Sequence, residues 1–185
     1  MMRVIAGEFK NRRLRMPVGV RMRPTADRVK EGMFSVLGAD LNGRIVLDLY
    51  AGSGSLGIEA LSRGARHCTF VETHRQCLRA LAENLLALGL KARSRIVRSP
   101  VEKALGRGAG TGTKFDICLA DPPYFQGDTK NLLQLVVSSA ILTPSALLVV
   151  EHHRDTTIPG IQGALELRTT KRYGDSAVSF FIHVK

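Results

Sequence analysis

Residues 48–57 have the sequence Asp48-Leu-Tyr-Ala-Gly52-Ser-Gly54-Ser-Leu-Gly57, which contains the pattern GxGxxG. Glycines at this spacing let the backbone turn tightly and approach a nucleotide, and the helix that follows favours negative ligand groups at its amino end. The apolar run Ile45–Leu49 just before the loop is typical of a strand buried on both faces. The pattern predicts the start of a βαβ unit with a nucleotide-binding loop.

Strand and helix patterns alternate on both sides of this loop. Helical spacing is found at residues 26–37, 56–63, 73–88, 100 onward and 129–140, and strand patterns at residues 45–49, 67–71, 92–97, 115–120, 146–150, 165–170 and 177–184. We expect the last two strands to pair antiparallel through a turn at Gly174-Asp175. The predicted fold is α/β, a doubly wound, mostly parallel seven-stranded sheet with an antiparallel C-terminal strand.

The chain of 185 residues is the size of one domain, which we place at residues 24–185, after a short basic extension at residues 1–23. The formal net charge is +11, and residues 1–30 carry nine Lys and Arg against Glu8 and Asp27. A charge run is often only a solvated face, but this excess favours a polyanionic partner such as nucleic acid.

Targeting and redox signals are weak. No apolar run approaches the roughly 20 residues that span a bilayer, and no signal peptide is visible, so we expect a cytoplasmic protein without membrane contact. Cys68, Cys77 and Cys118 lie in apolar stretches and form no CxxC pair, which predicts buried free thiols. His152 and His153 point in different directions and lack a third ligand, so we assign them a surface or edge position and expect no metal site.

Four polar residues each follow a separate predicted strand: Asp48, Glu72, Ser99 and Asp121. Ligands of doubly wound folds bind beyond the carboxyl ends of the strands, so these residues should line one cleft. The glycine loop alone does not separate NAD from S-adenosylmethionine. Asp48 suits a cationic amino group, although it could merely cap loop amides, and Ser99 is already explained as the N-cap of a helix whose first residue is Pro100.

The sharpest signal is Asp121-Pro122-Pro123-Tyr124 at the end of a strand. Two prolines stiffen the chain and remove amide donors, which leaves acceptors facing the cleft. The Asp121 carboxylate and the Pro122 carbonyl can hold the two N–H groups of an exocyclic base amine, and Tyr124 can stack on the base. The pattern indicates methylation of a planar NH2 group.

These residues resemble the RsmD family of bacterial methyltransferases over nearly the whole chain. The matching stretches are Arg3-Val-Ile-Ala-Gly7, Arg12-Arg13-Leu14, Arg23-Pro-Thr-Ala-Asp-Arg-Val29, Asp48 to Leu61, Phe70-Val-Glu72, Asp121-Pro-Pro-Tyr124 and Lys171-Arg-Tyr-Gly174. The resemblance implies a Rossmann-like class I methyltransferase that transfers a methyl group from S-adenosylmethionine to N2 of a guanine in 16S ribosomal RNA.

The resemblance also implies residue roles. Asp48, Gly52, Gly54 and Glu72 would bind the cofactor, with Ser99 and Val101 beside its adenine, where many related enzymes carry Asp in place of Ser99. Asp121, Pro122, Pro123 and Tyr124 would form the acceptor site. The RNA would be bound by Arg12, Arg13, Arg15, Arg21, Arg23, Lys171 and Arg172. We expect a monomer that acts on ribosomal RNA, either free or within a small-subunit assembly particle.

Other functions fit parts of the pattern. The same acceptors could serve adenine N6 of DNA or RNA, or a glutamine side-chain amide, although the basic arm argues against a protein substrate. A dehydrogenase would share the glycine loop. A non-catalytic RNA-binding protein on the same fold would not need both the glycine loop and the segment Asp121–Tyr124.

Overall fold

The computed structural model describes residues 2–19, 26–107, 112–123 and 128–184. The predicted helix start at Pro24-Thr25 and residues 108–111 of the glycine-rich stretch 106–114 lie outside these residues. The helices are α1 (Asp27–Leu37), α2 (Ser55–Ser62), α3 (Arg75–Ala87), α4 (Val101–Gly106) and α5 (Asp128–Ser139). The strands are β1 (Ile45–Leu49), β2 (His67–Glu72), β3 (Ser94–Arg98), β4 (Phe115–Ala120), β5 (Leu142–His153), β6 (Ile161–Gln162), β7 (Leu165–Tyr173) and β8 (Ser176–His183).

The strands form one sheet in the order β3-β2-β1-β4-β5-β8-β7-β6. Strands β1 to β5 run parallel to one another, and β8 is antiparallel to both β5 and β7. The β7–β8 hairpin turns at Gly174-Asp175, between the paired residues Tyr173 and Ser176. The predicted doubly wound α/β fold is therefore confirmed.

The described residues contain eight strands, so the prediction of seven was wrong by one. The extra strand β6 pairs with the start of β7 across a tight turn in which Gly163 has a φ of 57°. Strand β5 also begins at Leu142 and not at Ala146. The pairing of β4 with β5 shifts between Phe115 and Ile117. Such a bulge lets the strand continue through Pro144 and Ser145, which interrupt the strand pattern in the sequence.

The helices cover both faces of the sheet. Apolar residues of α1, α2 and α3 belong to one buried cluster, here called the first face, together with Val46 of β1 and Leu119 of β4. Apolar residues of α4 and α5 belong to the other cluster, the second face, together with Leu47 and Ala120. Because side chains alternate along a strand, each of the central strands contributes to both cores.

The described part of the N-terminal segment packs on the first face. Met2, Val4 and Leu14 are buried there, and a bridge joins Arg3 to Arg13. The Glu59 carboxylate of α2 accepts the backbone N–H groups of Ile5 and Ala6. This segment is therefore held by the core of the domain through apolar contacts and hydrogen bonds.

A buried ionic cluster lies beneath this segment. Lys30 is 1% exposed and Glu59 is fully buried, with 3.6 Å between the Lys30 Nζ and the Glu59 carboxylate. Lys30 also donates to the Arg3 carbonyl at 2.6 Å and to the Ser55 hydroxyl at 3.2 Å. Burial lowers the pKa of Lys30, and Glu59 opposes this shift. The cluster connects the N-terminal segment to the first residue of α2.

Two predicted helix caps differ in the structure. The spacing of Thr73 and Gln76 predicts a capping box for α3, but the helix begins at Arg75 after the cap residue His74, so that box does not form. The Glu72 carboxylate accepts the amides of Thr73 and His74 instead. Helix α4 begins at Val101, and its cap residue is Pro100 rather than Ser99, because Pro100 has extended backbone angles.

The predicted free thiols are confirmed, since Cys68, Cys77 and Cys118 are buried and unpaired by disulfides. Among the described residues, every helix is too short or too polar to span a bilayer.

Candidate active site

Asp48 lies inside strand β1, one residue before its carboxyl end. Its side chain is 1% exposed, and its Oδ2 accepts the amide of Gly57 in α2 at 2.9 Å. Burial raises the pKa of Asp48 to about 8, the Gly57 hydrogen bond opposes this, and the charges of Asp121 and Glu72 raise it further. Asp48 thus caps an amide of the loop-helix unit and also interacts electrostatically with two other carboxylates.

Glu72 ends strand β2 and organises the glycine loop. Its Oε2 accepts the Gly52 amide at 2.8 Å, while its Oε1 accepts the amides of Thr73 and His74, both at 2.7 Å. Two carboxylate oxygens provide about four lone-pair positions, so three amides leave acceptor capacity for one further donor. A ligand hydroxyl at this carboxylate is compatible with the loop contacts.

The loop between β1 and α2 has a backbone that favours glycine. Gly52 and Gly54 have φ values of 56° and 89°. A Cβ on Gly54 would lie 2.5 Å from Cδ1 of Leu81, so a larger residue there would require the Leu81 side chain to move. Tyr50 also has a positive φ, 58°, which is rare for a bulky residue and is concentrated at functional sites.

The acceptor segment follows strand β4 directly. Asp121 is half-buried, Pro122 is buried and Pro123 is exposed. Asp121 follows Ala120, which is paired with Leu49 of β1, so Asp121 lies next to the strand end that carries Asp48, and its charge raises the pKa of Asp48. Tyr124 lies outside the described residues. The end of β4 and the glycine loop after β1 are therefore adjacent, as expected for neighbouring parallel strands.

Ser99 and Val101 lie at the end of β3 and the start of α4. The Ser99 amide donates to the Glu72 carbonyl at 3.2 Å, which places Ser99 at the same edge as the carboxylates. Ser99 and Pro100 line a small cavity of about 200 Å³ together with Arg98, Lys103 and Arg107. Val101 is 4% exposed and packs in the second-face core, so its side chain faces away from solvent.

A larger cavity of about 510 Å³ lies on the second face, next to the loop. Tyr50 of the loop and Pro123 of the acceptor segment both line it, and the remaining wall is formed by Glu102, Asn131, Leu132, Gln134, Leu135 and Ser138. Its volume lies within the range of about 300–1,000 Å³ that is usual for ligand sites. The cavity is thus bounded by both of the segments that the sequence singled out.

The residues predicted to bind RNA fall in two separate places. Arg12, Arg13 and Arg15 are exposed on the N-terminal segment over α3, where Arg15 pairs with Glu83 at 3.0 Å. Lys171 and Arg172 are exposed on β7, three strands away from β4 in the sheet. Arg21 and Arg23 lie outside the described residues.

Some contributing residues were not predicted. Asn84 of α3 is 2% exposed; its side-chain amide donates to the Ser53 carbonyl of the loop at 3.0 Å, and it bonds both backbone groups of Arg15. Glu59 and Lys30, which form an ion pair beneath the N-terminal segment, were not predicted either. Only the buried position of Asn84 on an otherwise apolar helix face would have indicated it from the sequence.

His152 is buried, which corrects its predicted surface position. Its Nε2 lies 2.8 Å from the Ser179 hydroxyl, which lies 2.8 Å from Thr170 Oγ1. His153 is exposed, so the two rings do point in different directions. Within the described ranges, no group of His, Cys, Asp and Glu side chains could hold a metal ion.

Comparisons with known proteins identify the family of this chain. The family described as "Conserved hypothetical protein 95" matches residues 2–182. Ribosomal RNA small subunit methyltransferase D of Escherichia coli is 33% identical over 179 residues, which cover 97% of this chain and 88% of that protein. The chain belongs to the RsmD family. The family resemblance predicted from the sequence is therefore confirmed.

Two further relatives support the RsmD family assignment. YlbH of Bacillus subtilis is 38% identical over 180 residues, covering 97% of this chain and 98% of that protein. The solved structure of yhhF from Escherichia coli superposes with a TM-score of 0.87 at 32% identity, covering 99% of this chain and 98% of that chain. The match spans the N-terminal segment as well as the sheet.

Proposed function

We propose that this RsmD family protein transfers a methyl group from S-adenosylmethionine to N2 of a guanine in 16S ribosomal RNA. The observation that carries the proposal is that two segments are adjacent at the ends of paired strands. The Glu72-bound glycine loop and the acceptor segment at Asp121 meet at one edge of the sheet, where Asp48 interacts with both carboxylates. The E. coli relative is named a ribosomal RNA small subunit methyltransferase.

The residues present fit the cofactor. Glu72 has one acceptor position left for a ribose hydroxyl, and the buried Asp48 suits an ammonium group. The cavity lined by Tyr50 and Pro123 adjoins both the loop and the acceptor segment on the second face. When bound, S-adenosylmethionine supplies a methyl group on a cationic sulfur, a good leaving group that needs no metal.

The acceptor residues would hold and orient the guanine amine. Its lone pair is delocalised into the ring, so the amine is a poor nucleophile. The Asp121 carboxylate and the Pro122 carbonyl accept its two N–H bonds, which aims the lone pair at the methyl carbon and stabilises the positive charge that develops on nitrogen. As the N–C bond forms and the C–S bond breaks, the N2 proton passes to Asp121 or to water. Positioning supplies most of the acceleration.

Electrostatics would bring the RNA to this edge. The net charge is +11. Arg12, Arg13 and Arg15 extend from the N-terminal segment, which is hydrogen-bonded to Asn84, and Asn84 also donates to Ser53 of the glycine loop. These side chains, with Arg21, Arg23, Lys171 and Arg172, would contact phosphates, and a paired target base would have to be unstacked. We propose that the protein works as a cytoplasmic monomer without a metal, on free ribosomal RNA or an assembly particle.

The test is Asp121→Ala, with Asp40→Ala as the control. Asp40 is exposed and lies before β1, at the opposite edge of the sheet. We expect Asp121→Ala to abolish methylation while RNA affinity stays nearly unchanged, and Asp40→Ala to keep both. Mass spectrometry of ribosomal RNA nucleosides, from cells with and without the protein, identifies the product. Full activity of Asp121→Ala would refute its role, and saturable binding of NADH would favour a dehydrogenase.

A further inference from the structure

A further carboxylate lies beside the acceptor segment, on the neighbouring strand. Glu151 belongs to β5, which runs parallel to β4. Ala120 of β4 is paired with Val150 of β5. The residues that follow them, Asp121 and Glu151, therefore come to the same level of the sheet. Adjacent strands are about 4.8 Å apart. Glu151 is therefore an acidic residue on the strand next to Asp121, at the same level of the sheet.

The two side chains project from the same face of the sheet. Leu119 and Val149 both belong to the first-face core, whereas Ala120 and Val150 both belong to the second. Alternation then places Asp121 and Glu151 on the first face. Asp48 follows the same rule, because Val46 is a first-face residue, and its electrostatic interaction with Asp121 agrees. Asp48, Asp121 and Glu151 therefore share the first face, and Asp48 lies two residues before the level of the other two.

The environment of Glu151 is unusual for an acid. Its side chain is 3% exposed, and the residue paired with it on β8 is the fully buried Val178. A carboxylate is costly in such surroundings unless it meets hydrogen-bond donors, and an apolar residue would pack there at lower cost. The position therefore brings a buried acid to the carboxyl end of the sheet, next to Asp121.

We propose that Glu151 accepts the N1–H of the target guanine and so selects guanine over adenine. The inference rests on the proposed function. Guanine presents N1–H beside its N2 amine on one edge, so a carboxylate next to Asp121 and the Pro122 carbonyl completes a row of acceptors for a row of donors. Adenine has a lone pair at N1, which this carboxylate repels. Glu151 would thus be a specificity-determining residue that contacts the base.

The first experiment uses the unmodified protein. Two substrate RNAs, or reconstituted particles, carry either guanine or 2-aminopurine at the methylated position, since 2-aminopurine keeps the amine but lacks N1–H. We expect kcat/KM on 2-aminopurine to be about tenfold to a hundredfold lower, the usual value of a hydrogen bond to a charged group. Equal rates on the two RNAs would overturn the inference.

The second experiment assigns the selectivity to one side chain. In Glu151→Gln the amide can turn its NH2 toward the bare N1 of 2-aminopurine. We expect kcat/KM on guanine to fall about tenfold or more, and the guanine preference to shrink to within about threefold. The matched control is Glu166→Gln. Glu166 is a half-buried acid near the start of β7, and its variant should keep the wild-type preference.

The outcomes are separable. An undiminished guanine preference in folded Glu151→Gln would mean that the base is selected elsewhere, and would overturn the inference. Thermal melting and S-adenosylmethionine affinity report whether the variant is folded. If it is not, the rates of the unmodified protein on the two RNAs decide. A wild-type protein that methylates neither RNA would overturn the proposed function itself, and the inference with it.

Discussion

The Glu72 carboxylate and the Gly52 amide are joined by a hydrogen bond of 2.8 Å, which fastens the glycine loop after β1 to the end of β2. The same carboxylate accepts two more amides, those of Thr73 and His74. The loop conformation therefore depends on one carboxyl side chain with three amide donors around it.

Replacing Glu72 by Gln should weaken cofactor binding. The amide NH2 must face either the Gly52 N–H or the pair from Thr73 and His74, so at least one donor loses its acceptor. Such a loss costs about 1–3 kcal/mol, so we expect the Kd for S-adenosylmethionine to rise about tenfold or more in calorimetric titrations. Glu31→Gln on the exposed side of α1 is the control. Wild-type affinity in Glu72→Gln would show that the loop does not need this carboxylate.

The buried Asp48 should make the unliganded protein less stable as pH rises. Its pKa is raised to about 8 from 3.8, chiefly by burial. Between these values the unfolded state has lost the proton that the folded state keeps, so stability is full below about pH 4 and is lost toward pH 8. The slope is at most about 1.4 kcal/mol per pH unit for this group.

Asp48→Asn removes this titration, and its side-chain oxygen can still accept the Gly57 amide. We therefore expect the variant to gain stability relative to wild type from pH 4 to pH 8, as measured by urea unfolding at each pH. A difference in unfolding free energy that is constant over this range would contradict the buried, protonated state of Asp48.

Much of the sheet could be predicted because its central strands are continuous apolar runs. The predicted bounds of β1 and β4 match the structure. The start of β5 could not be predicted, since Pro144 and Ser145 resemble a turn locally. In the structure Ser145 has a φ of 62° beside the register shift with β4. A long-range pairing thus overrides a local break.

The same contrast holds at the candidate site. Asp48, Glu72, Ser99 and Asp121 could be placed at one edge, because strand ends of a parallel sheet meet there. The supporting residues are of another kind. Asn84 bonds to Ser53, 31 positions earlier in the chain, and to Arg15, 69 positions earlier. No local pattern indicates such contacts, since they depend on how α3 packs against the N-terminal segment.

Gly57 of α2 should be hard to replace for packing reasons. A Cβ there would lie 2.3 Å from Cε1 of Phe70 and 2.7 Å from Sγ of Cys68, in the core between α2 and β2. Overpacking of this kind costs about 1–3 kcal/mol, so we expect Gly57→Ala to lower the unfolding free energy by that amount.

The matched control is Gly106→Ala at the end of α4, where a Cβ would meet nothing within 4 Å. This change should be neutral or stabilising by up to about 1 kcal/mol. Both variants can be compared by chemical unfolding in the same buffer. Equal stabilities of the two variants would mean that the contact between α2 and β2 relaxes without cost.

The exposed arginines of the N-terminal segment should account for part of the salt dependence of RNA binding. Arg12 and Arg13 are exposed, whereas Arg15 is partly neutralised by Glu83 at 3.0 Å. Each phosphate contact contributes about 0.7–0.9 to the slope of log K against log salt, so Arg12→Gln/Arg13→Gln should flatten that slope by up to about 2. Arg44→Gln/Arg66→Gln removes the same charge at the amino ends of β1 and β2. If both double variants give the same slope, only net charge matters, and the N-terminal segment is not at the RNA interface.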